Sequence, residues 1–135
     1  MAVGTRREGR ERALSLLYEA EAKDITPSAL LEELPVPPDA FITKLVLGVE
    51  EHQDEIDQLI SKFARDWPLE RMPAIDRTLL RMGTLELAYR PDVPTGAAIS
   101  EAVELAKTYS TEESGRFVNG VLGSVAAEVR PPARD

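Results

Sequence analysis

The sequence predicts an all-α protein folded as a single domain. Apolar residues recur every three or four positions in successive segments, and no segment of useful length alternates apolar and polar residues. Ten prolines divide the 135-residue chain into pieces of helix length, and a chain of this size fits one hydrophobic core. We therefore expect one helical domain over residues 1–135, with a disordered tail at 131–135.

The first two helices follow from an apolar stripe and a start signal. Alanine and leucine at spacings of three and four within residues 5–23 predict the first helix. Thr26-Pro27 places a hydroxyl cap before a proline at the first helical position, which predicts a short second helix that ends before Pro35. Residues 35–39 then connect it to the next helix.

The longest helix is expected to run without interruption from about Asp39 to Trp67. Its apolar stripe is formed by Phe41, Leu45, Val49, His52, Ile56, Leu59 and Phe63. At 1.5 Å per residue, such a helix spans roughly 40 Å. We expect it to be the axis of the bundle.

Three further helices complete the prediction. Pro68 and Pro73 bracket a short turn, and apolar stripes at 75–89 and 99–106 predict the fourth and fifth helices. Ser110 and Glu113, three residues apart, fit a capping box that opens the last helix.

The segment from Ser114 to Gly123 is unusual for a helix interior because it contains three glycines and an asparagine. Gly120 and Gly123, three residues apart, predict close approach of a neighbouring helix. Asn119 offers an amide, and Phe117 offers a ring on which a base could stack. On these residues alone, packing is a better interpretation than binding.

The composition excludes most catalytic chemistry. Without cysteine there is no thiol nucleophile, disulfide framework, zinc ribbon or iron–sulfur cluster. The single histidine, His52, could share a metal with Glu55, but a di-metal bundle needs two such pairs, so a hydrogen-bonded core or boundary histidine is favoured. We expect a non-enzymatic protein without cofactor or metal. Because no apolar run approaches the length of a membrane span and charges stand near the N-terminus, we also expect a cytoplasmic location.

Charge is distributed unevenly along the chain. The 24 acidic and 16 basic residues give a net charge of −8, which by itself argues against nucleic acid as a partner. The acids, however, concentrate between residues 19 and 57, whereas Arg6, Arg7 and Arg10 lie near the start of the first helix. Guanidinium groups that share a helix face suit phosphate oxygens, although many charged helix ends are only solvated.

A second pair of arginines, Arg77 and Arg81, is also spaced four residues apart, with Asp76 and Glu86 close by in the sequence. The pattern fits a ladder of ion pairs on a helix surface or a mixed-charge face for a protein partner.

Taken together, these segments resemble the NusB family of bacterial transcription antitermination factors. The blocks that carry the resemblance are Arg6-Arg7-x-x-Arg10-Glu11-x-Ala13, Gly48-Val49-x-x-His52, Asp76-Arg77-x-Leu79-Leu80-Arg81, Ser100-Glu101-Ala102-Val103-Glu104-Leu105-Ala106-Lys107 and Phe117-Val118-Asn119-Gly120-Val121-Leu122. They occur in this order over nearly the whole chain.

The resemblance implies about six to seven helices in two small subdomains and a role without catalysis. It also implies binding of the boxA segment of nascent ribosomal RNA transcripts as a heterodimer with NusE, a ribosomal small-subunit protein. That complex includes NusA, NusG and RNA polymerase and suppresses termination. The implied RNA-binding residues are Arg6, Arg7, Arg10, Arg116, Phe117 and Asn119, and the implied NusE-facing residues are Tyr18, Asp76 and Glu113.

Three residues depart from the family pattern. Glu8 and Gly9 interrupt the basic run, so the first turn is expected to order only on binding, and Ser100 replaces a usual asparagine.

Two other interpretations of the function compete with this one. One is the RNA-binding domain of a ribosomal RNA methyltransferase, whose catalytic domain and cysteines this chain lacks. The other is a helical adaptor or homodimer without RNA binding.

Overall fold

A computed structural model describes residues 5–131, which form seven α-helices and one short 3-10 turn and contain no strand. The helices are α1 (Arg6–Lys23), α2 (Pro27–Glu33), α3 (Ala40–Glu51), α4 (Gln53–Phe63), α5 (Ala74–Tyr89), α6 (Thr95–Tyr109) and α7 (Glu112–Val129). The 3-10 turn, Leu69–Arg71, lies between the prolines that predicted a turn. The predicted all-α class is confirmed. Residues 132–135 of the expected tail lie outside the described residues, and the single-domain boundary stays a prediction.

The helices pack in two groups that share α5. Helices α1, α2 and α3 contact one another, and α4, α6 and α7 surround α5 from the other side. Helix α5 also packs against α1 and α3, and its residues from Thr78 to Leu80 and from Met82 to Leu87 are buried. The core is consequently continuous across both groups. The axis of the bundle is α5, not the segment 39–67.

The predicted helix from 39 to 67 is wrong in its continuity, because the chain breaks at His52. His52 has φ −108° and ψ 17°, and it ends α3 and begins α4. Its ring stacks on Tyr89 of α5, with ring centroids 3.8 Å apart and planes 10° from parallel. The break lets α3 pack on α1 while α4 packs on α7. Both segments bury one face, so the apolar stripe continues through a change of direction.

Two helix starts differ from expectation. The first turn of α1 is closed by a capping box in which the Thr5 hydroxyl accepts from the Glu8 amide (3.1 Å) and the Thr5 amide donates to Glu8 Oε1 (3.0 Å). Glu8 therefore orders the turn that was expected to form only on binding. At α7 the cap is Thr111, whose hydroxyl accepts from the Ser114 amide at 2.9 Å, and the predicted box of Ser110 and Glu113 is wrong by one residue.

Gly120 and Gly123 of α7 are not sites of close helix packing, contrary to the prediction. Gly120 and Gly123 are exposed, and a Cβ built on either would have no neighbour within 4 Å. Close approach occurs instead at Gly83 of α5, where a Cβ would lie 2.6 Å from Leu122 Cδ1. The predicted glycines are therefore the wrong ones, and the glycine that the packing of α5 on α7 requires is Gly83.

Within residues 5–131, no helix combines the length and the apolar character that crossing a bilayer requires.

Candidate nucleic-acid interface

The three predicted arginines of α1 lie in three different environments. Arg6 and Arg7 are exposed, whereas only 6% of Arg10 is exposed. The guanidinium carbon of Arg6 lies over the ring of Phe41 in α3, 4.2 Å from its centroid, which is within the range of a cation–π contact. Arg6 therefore keeps one face of its guanidinium available to a ligand.

Arg10 is held inside the protein by Glu86 of α5. Its Nε and Nη2 donate to the two carboxylate oxygens of Glu86 at 2.9 and 2.8 Å, and the two side chains are 7% and 3% exposed. A buried guanidinium needs such a partner, because an uncompensated charge in the core is strongly unfavourable. Arg10 therefore lies at the bottom of a groove with its charge neutralised by Glu86, and its contact with RNA stays a prediction.

Arg7 is also paired, but at the surface. Its Nε and Nη2 donate to Glu101 of α6 at 3.1 and 2.7 Å, and the side chains are 58% and 17% exposed. The hydrogen bonds from Arg7 hold the pKa of Glu101 below its usual value, and the same bonds raise the pKa of Arg7. The pair joins the start of α1 to α6 across 94 residues of sequence.

A groove of about 880 Å³ opens between α1, α3 and α6. Its charged lining residues are Arg6, Arg10, Lys44, Glu86, Arg90, Asp92 and Glu101. Glu86 and Glu101 are neutralised by Arg10 and Arg7, so the remaining cations outnumber the one remaining carboxylate. The groove is locally positive in a chain whose net charge is −8.

Gly9 brings the aromatic ring of this groove against α1. A Cβ at Gly9 would lie 2.7 Å from Phe41 Cδ2 and 2.9 Å from Cε2, so any side chain there would displace the ring. Gly9 is buried inside a capped helix. Packing against Phe41 thus explains why a glycine stands in the basic run. This glycine does not loosen the first turn of α1.

The far wall of the groove is fixed by Arg130, the residue that follows α7. Its guanidinium donates to the carbonyl oxygens of Leu87, Glu86, Arg90 and Val93 and to Thr95 Oγ1, at 2.6 to 3.0 Å. These bonds hold the connection between α5 and α6 in one shape.

The predicted residues of α7 lie on the other side of α6. Asn119 is exposed and lines a shallower groove with Ser100, which also lines the first groove. Arg116 is exposed one turn before Asn119, on the same helix face. Phe117 is half-buried against Trp67, with ring centroids 4.8 Å apart, so part of its ring is used in packing. Ser100 therefore connects the surface of the α1 arginines to that of Asn119.

The predicted partner-facing residues fall on neighbouring helix ends. Tyr18 is 45% exposed and Glu113 is exposed, but Asp76 is completely buried. Asp76 Oδ2 accepts from Ser114 Oγ at 2.8 Å, and Oδ1 accepts no hydrogen bond from the described residues. Asp76 joins α5 to the start of α7 and does not lie on the surface, and its expected contact with a partner stays a prediction.

Arg77 and Arg81 are used inside the fold. Arg77 Nη1 donates to the carbonyl oxygens of Leu69 and Met72 at 3.0 Å, and its Nη2 pairs with Glu21 of α1. Arg81 pairs with Asp57 of α4 at 2.8 Å. The expected ladder with Asp76 and Glu86 is wrong, because Arg77 and Arg81 pair instead with carboxylates of α1 and α4 and connect α5 to those helices.

His52 lies at a boundary, as its place in the stripe indicated. Its side chain is 24% exposed, and the nearest carboxylate oxygen, Glu51 Oε2, is 3.8 Å from Nε2. Among residues 5–131, no group of three or more His, Asp and Glu side chains is placed to hold a metal ion.

Sequence reasoning missed the residues that complete the interface. Phe41 was assigned to the apolar stripe, Glu86 was placed near Arg77 and Arg81, and Glu101 appeared only as part of a family block. Glu86 and Glu101 lie 76 and 94 residues from the arginines that they bind. Helical spacing carries no signal over such distances.

Comparison with known proteins identifies relatives of this architecture. A sequence model of the NusB family matches residues 7–127. The transcription antitermination protein NusB of Myxococcus xanthus is 49% identical over 140 residues, covering 96% of this chain and 100% of that protein. The NusB protein of Kineococcus radiotolerans is 44% identical over 128 residues, covering 92% and 94%.

Solved structures agree. The chain is similar to the structure of T. maritima NusB, with a TM-score of 0.85, 36% identity and 96% coverage of both chains. It is also similar to a chain in the crystal structure of antitermination factors NusB and NusE in complex with dsRNA, with a TM-score of 0.78 and 30% identity. That alignment covers 91% of this chain and 96% of the other.

Proposed function

Because the chain belongs to the NusB family, we propose that it binds the boxA segment of nascent ribosomal RNA transcripts together with NusE. In this role it acts in the cytoplasm, without catalysis or a cofactor. The complex joins NusA, NusG and RNA polymerase and suppresses termination.

The observation that carries the proposal is the groove beside α1. Arg6 covers the ring of Phe41, Arg7 stands at the rim, and the remaining charge of the lining is positive. Single-stranded RNA is bound through phosphate contacts with arginine and through stacking of bases on aromatic rings and guanidinium planes. A base can stack on the outer face of the Arg6 guanidinium while its phosphate meets Arg7 or Lys44.

A second surface, which carries Tyr18 and Glu113, is available to a protein partner beside the RNA. Tyr18 and Glu113 are exposed, and the helix ends that carry them are joined by two contacts, Glu21 with Arg77 and Asp76 with Ser114. We assign NusE to this surface, with Asp76 as its internal support. The likeness to a chain in the solved complex of NusB and NusE with dsRNA supports NusE and RNA as partners.

The groove alone should bind RNA weakly. One exposed arginine is paired, and the acidic residues 19–57 repel phosphate at low salt. A partner that adds its own RNA contacts raises affinity by making the second contact intramolecular. We therefore expect the chain and NusE together to bind boxA-like RNA at least tenfold more tightly than the chain alone.

Fluorescence anisotropy with a labelled boxA-like RNA tests the proposal. The RNA is titrated with the chain, with NusE and with both, and a scrambled RNA of equal length serves as the control. If NusE leaves the affinity unchanged, or if the scrambled RNA binds equally well, the proposed cooperative recognition is wrong.

The alternative of an adaptor or homodimer without RNA binding predicts a different outcome. Partners captured from cell lysate would then survive nuclease treatment, whereas the proposed function predicts that transcription-complex partners are lost. A terminator read-through assay with purified NusA, NusG, NusE and RNA polymerase gives a direct measure. Addition of the chain should increase read-through only on templates that encode boxA.

A further inference from the structure

In the described structure, the carboxylate of Glu101 occupies one edge of the Arg7 guanidinium. It accepts from Nε and Nη2 of Arg7, at 3.1 and 2.7 Å, in the forked geometry by which arginine also binds two phosphate oxygens. The Arg7 side chain is 58% exposed, so the pair can be reached from solvent.

Glu101 differs from the other carboxylates near Arg7. It lines the groove, it is 17% exposed, and Arg7 is its hydrogen-bond partner among residues 5–131. Glu104, one turn later on α6, and Glu11 on α1 affect Arg7 only through their charge and form no hydrogen bond with it. The Glu11 carboxylate accepts instead from the hydroxyl of Tyr109.

Two other cations of the groove, Arg6 and Arg90, lack such a competitor among the described residues. Arg6 lies on Phe41 and forms no ion pair within residues 5–131, and Arg90 donates to the backbone carbonyl oxygens of Lys44 and Tyr89. Of the exposed α1 arginines proposed to contact RNA, Arg7 alone is bound to a carboxylate in the part of the chain that is described.

We propose that Glu101 is an internal competitor of RNA phosphate for Arg7, and that it sets the low affinity of the chain for RNA in the absence of a partner. The inference rests on the proposed RNA-binding function. A phosphate can engage the Nε–Nη2 edge of Arg7 only after this carboxylate has left it. Glu101 thereby keeps the chain from binding the RNA backbone wherever no partner supplies further contacts.

The substitution Glu101→Gln tests this role. It removes the charge and retains the shape, so Arg7 becomes available to phosphate. The affinity for an unstructured homopolymer RNA, with no partner present, should rise about threefold to fivefold, the factor that corresponds to loss of one exposed ion pair. The slope of log affinity against log salt should also become steeper by about 0.7, the value for one more phosphate contact on a single strand.

Glu104→Gln is the matched control. It makes the same charge change on the same helix near the same arginine but breaks no hydrogen bond to Arg7, so its salt slope should equal that of the original chain. In an Arg7→Gln background, Glu101→Gln should no longer change the affinity. Circular dichroism and thermal unfolding verify that each variant remains folded.

The outcomes separate the two proposals. If Glu101→Gln behaves like Glu104→Gln, or if its effect persists in the Arg7→Gln background, competition by Glu101 is refuted. The proposed function still stands in that case if the chain binds boxA-like RNA together with NusE. If no variant binds RNA with or without NusE, both proposals fail.

Discussion

Replacing Glu86 by glutamine should destabilise the fold strongly, because it leaves the guanidinium of Arg10 without its counter-charge. The two hydrogen bonds are 2.9 and 2.8 Å long, and the side chains are 7% and 3% exposed, so water cannot take the place of the lost oxygen. Removing one member of a buried pair typically costs 3–5 kcal/mol. Since glutamine keeps one acceptor, we expect a loss of about 3 kcal/mol, or roughly 10 °C in Tm for a domain of this size.

A double-mutant cycle isolates the pair. Arg10→Met alone leaves the Glu86 carboxylate buried without a cation and should also cost about 3 kcal/mol. The double variant Arg10→Met with Glu86→Gln removes both charges, and its loss should be well below the sum of the single losses. Urea unfolding followed by circular dichroism gives each free energy. A loss below about 1 kcal/mol for Glu86→Gln, or additive losses in the double variant, would refute the reasoning.

The same double variant decides what Arg10 does for RNA. If its guanidinium stays with Glu86 in the complex, the folded double variant should keep the original salt slope of RNA binding. If Arg10 leaves Glu86 to contact a phosphate, the slope should become shallower by about 0.7.

Three other predictions concern separate contacts. In the presence of NusE, Arg7→Ala should weaken binding of boxA-like RNA and flatten its salt slope by about 0.7. Arg12→Ala, an equal charge change at another exposed position of α1, should leave the slope unchanged. Equal slopes for the two variants would place the contact elsewhere. Gly120→Ala should stabilise the fold by up to about 1 kcal/mol, because its Cβ meets nothing within 4 Å. Gly83→Ala should destabilise the fold, because its Cβ meets buried Leu122 at 2.6 Å. If thermal unfolding shows Tm changes of the same sign for both variants, this reasoning is wrong. The folded-state pKa of Glu101 lies below its unfolded value, so the stability from its pair with Arg7 is present above the unfolded pKa of about 4.3 and is lost as pH falls through the folded pKa. The difference in Tm between the original chain and Glu101→Gln should therefore disappear in acid. A difference that stays constant from pH 7 to pH 2 would exclude this linkage.

Local patterns predicted the helices well because each buries one face. The stripes and prolines located the helix-forming segments, and Thr26-Pro27 marked the start of α2 correctly. The break at His52 had no such signal, because neither proline nor glycine stands there and the stripe continues through it. Its cause is tertiary, since α3 and α4 pack on different helices.

Only part of the site was predicted, again because tertiary contacts leave no local signal in the sequence. The family blocks led to Arg6 and Arg7, which are exposed as expected, but burial of Arg10 and Asp76 depends on partners far away in the sequence. The glycines make the same point. Gly83 and Gly120 look alike in a helical sequence, and only the position of Leu122 shows which of them needs to lack a side chain.

The shared position of α5 determines how the protein opens. Helices α6 and α7 are adjacent in sequence and pack closely, so they can form early through local contacts, whereas α1 and α3 reach α5 only through long-range contacts. The backbone amides of α5 should therefore exchange with solvent most slowly, and protection in the α1–α3 group should depend on an intact α5. Helix α1, which carries the arginines, is thus held in position by α5, which begins more than fifty residues after α1 ends.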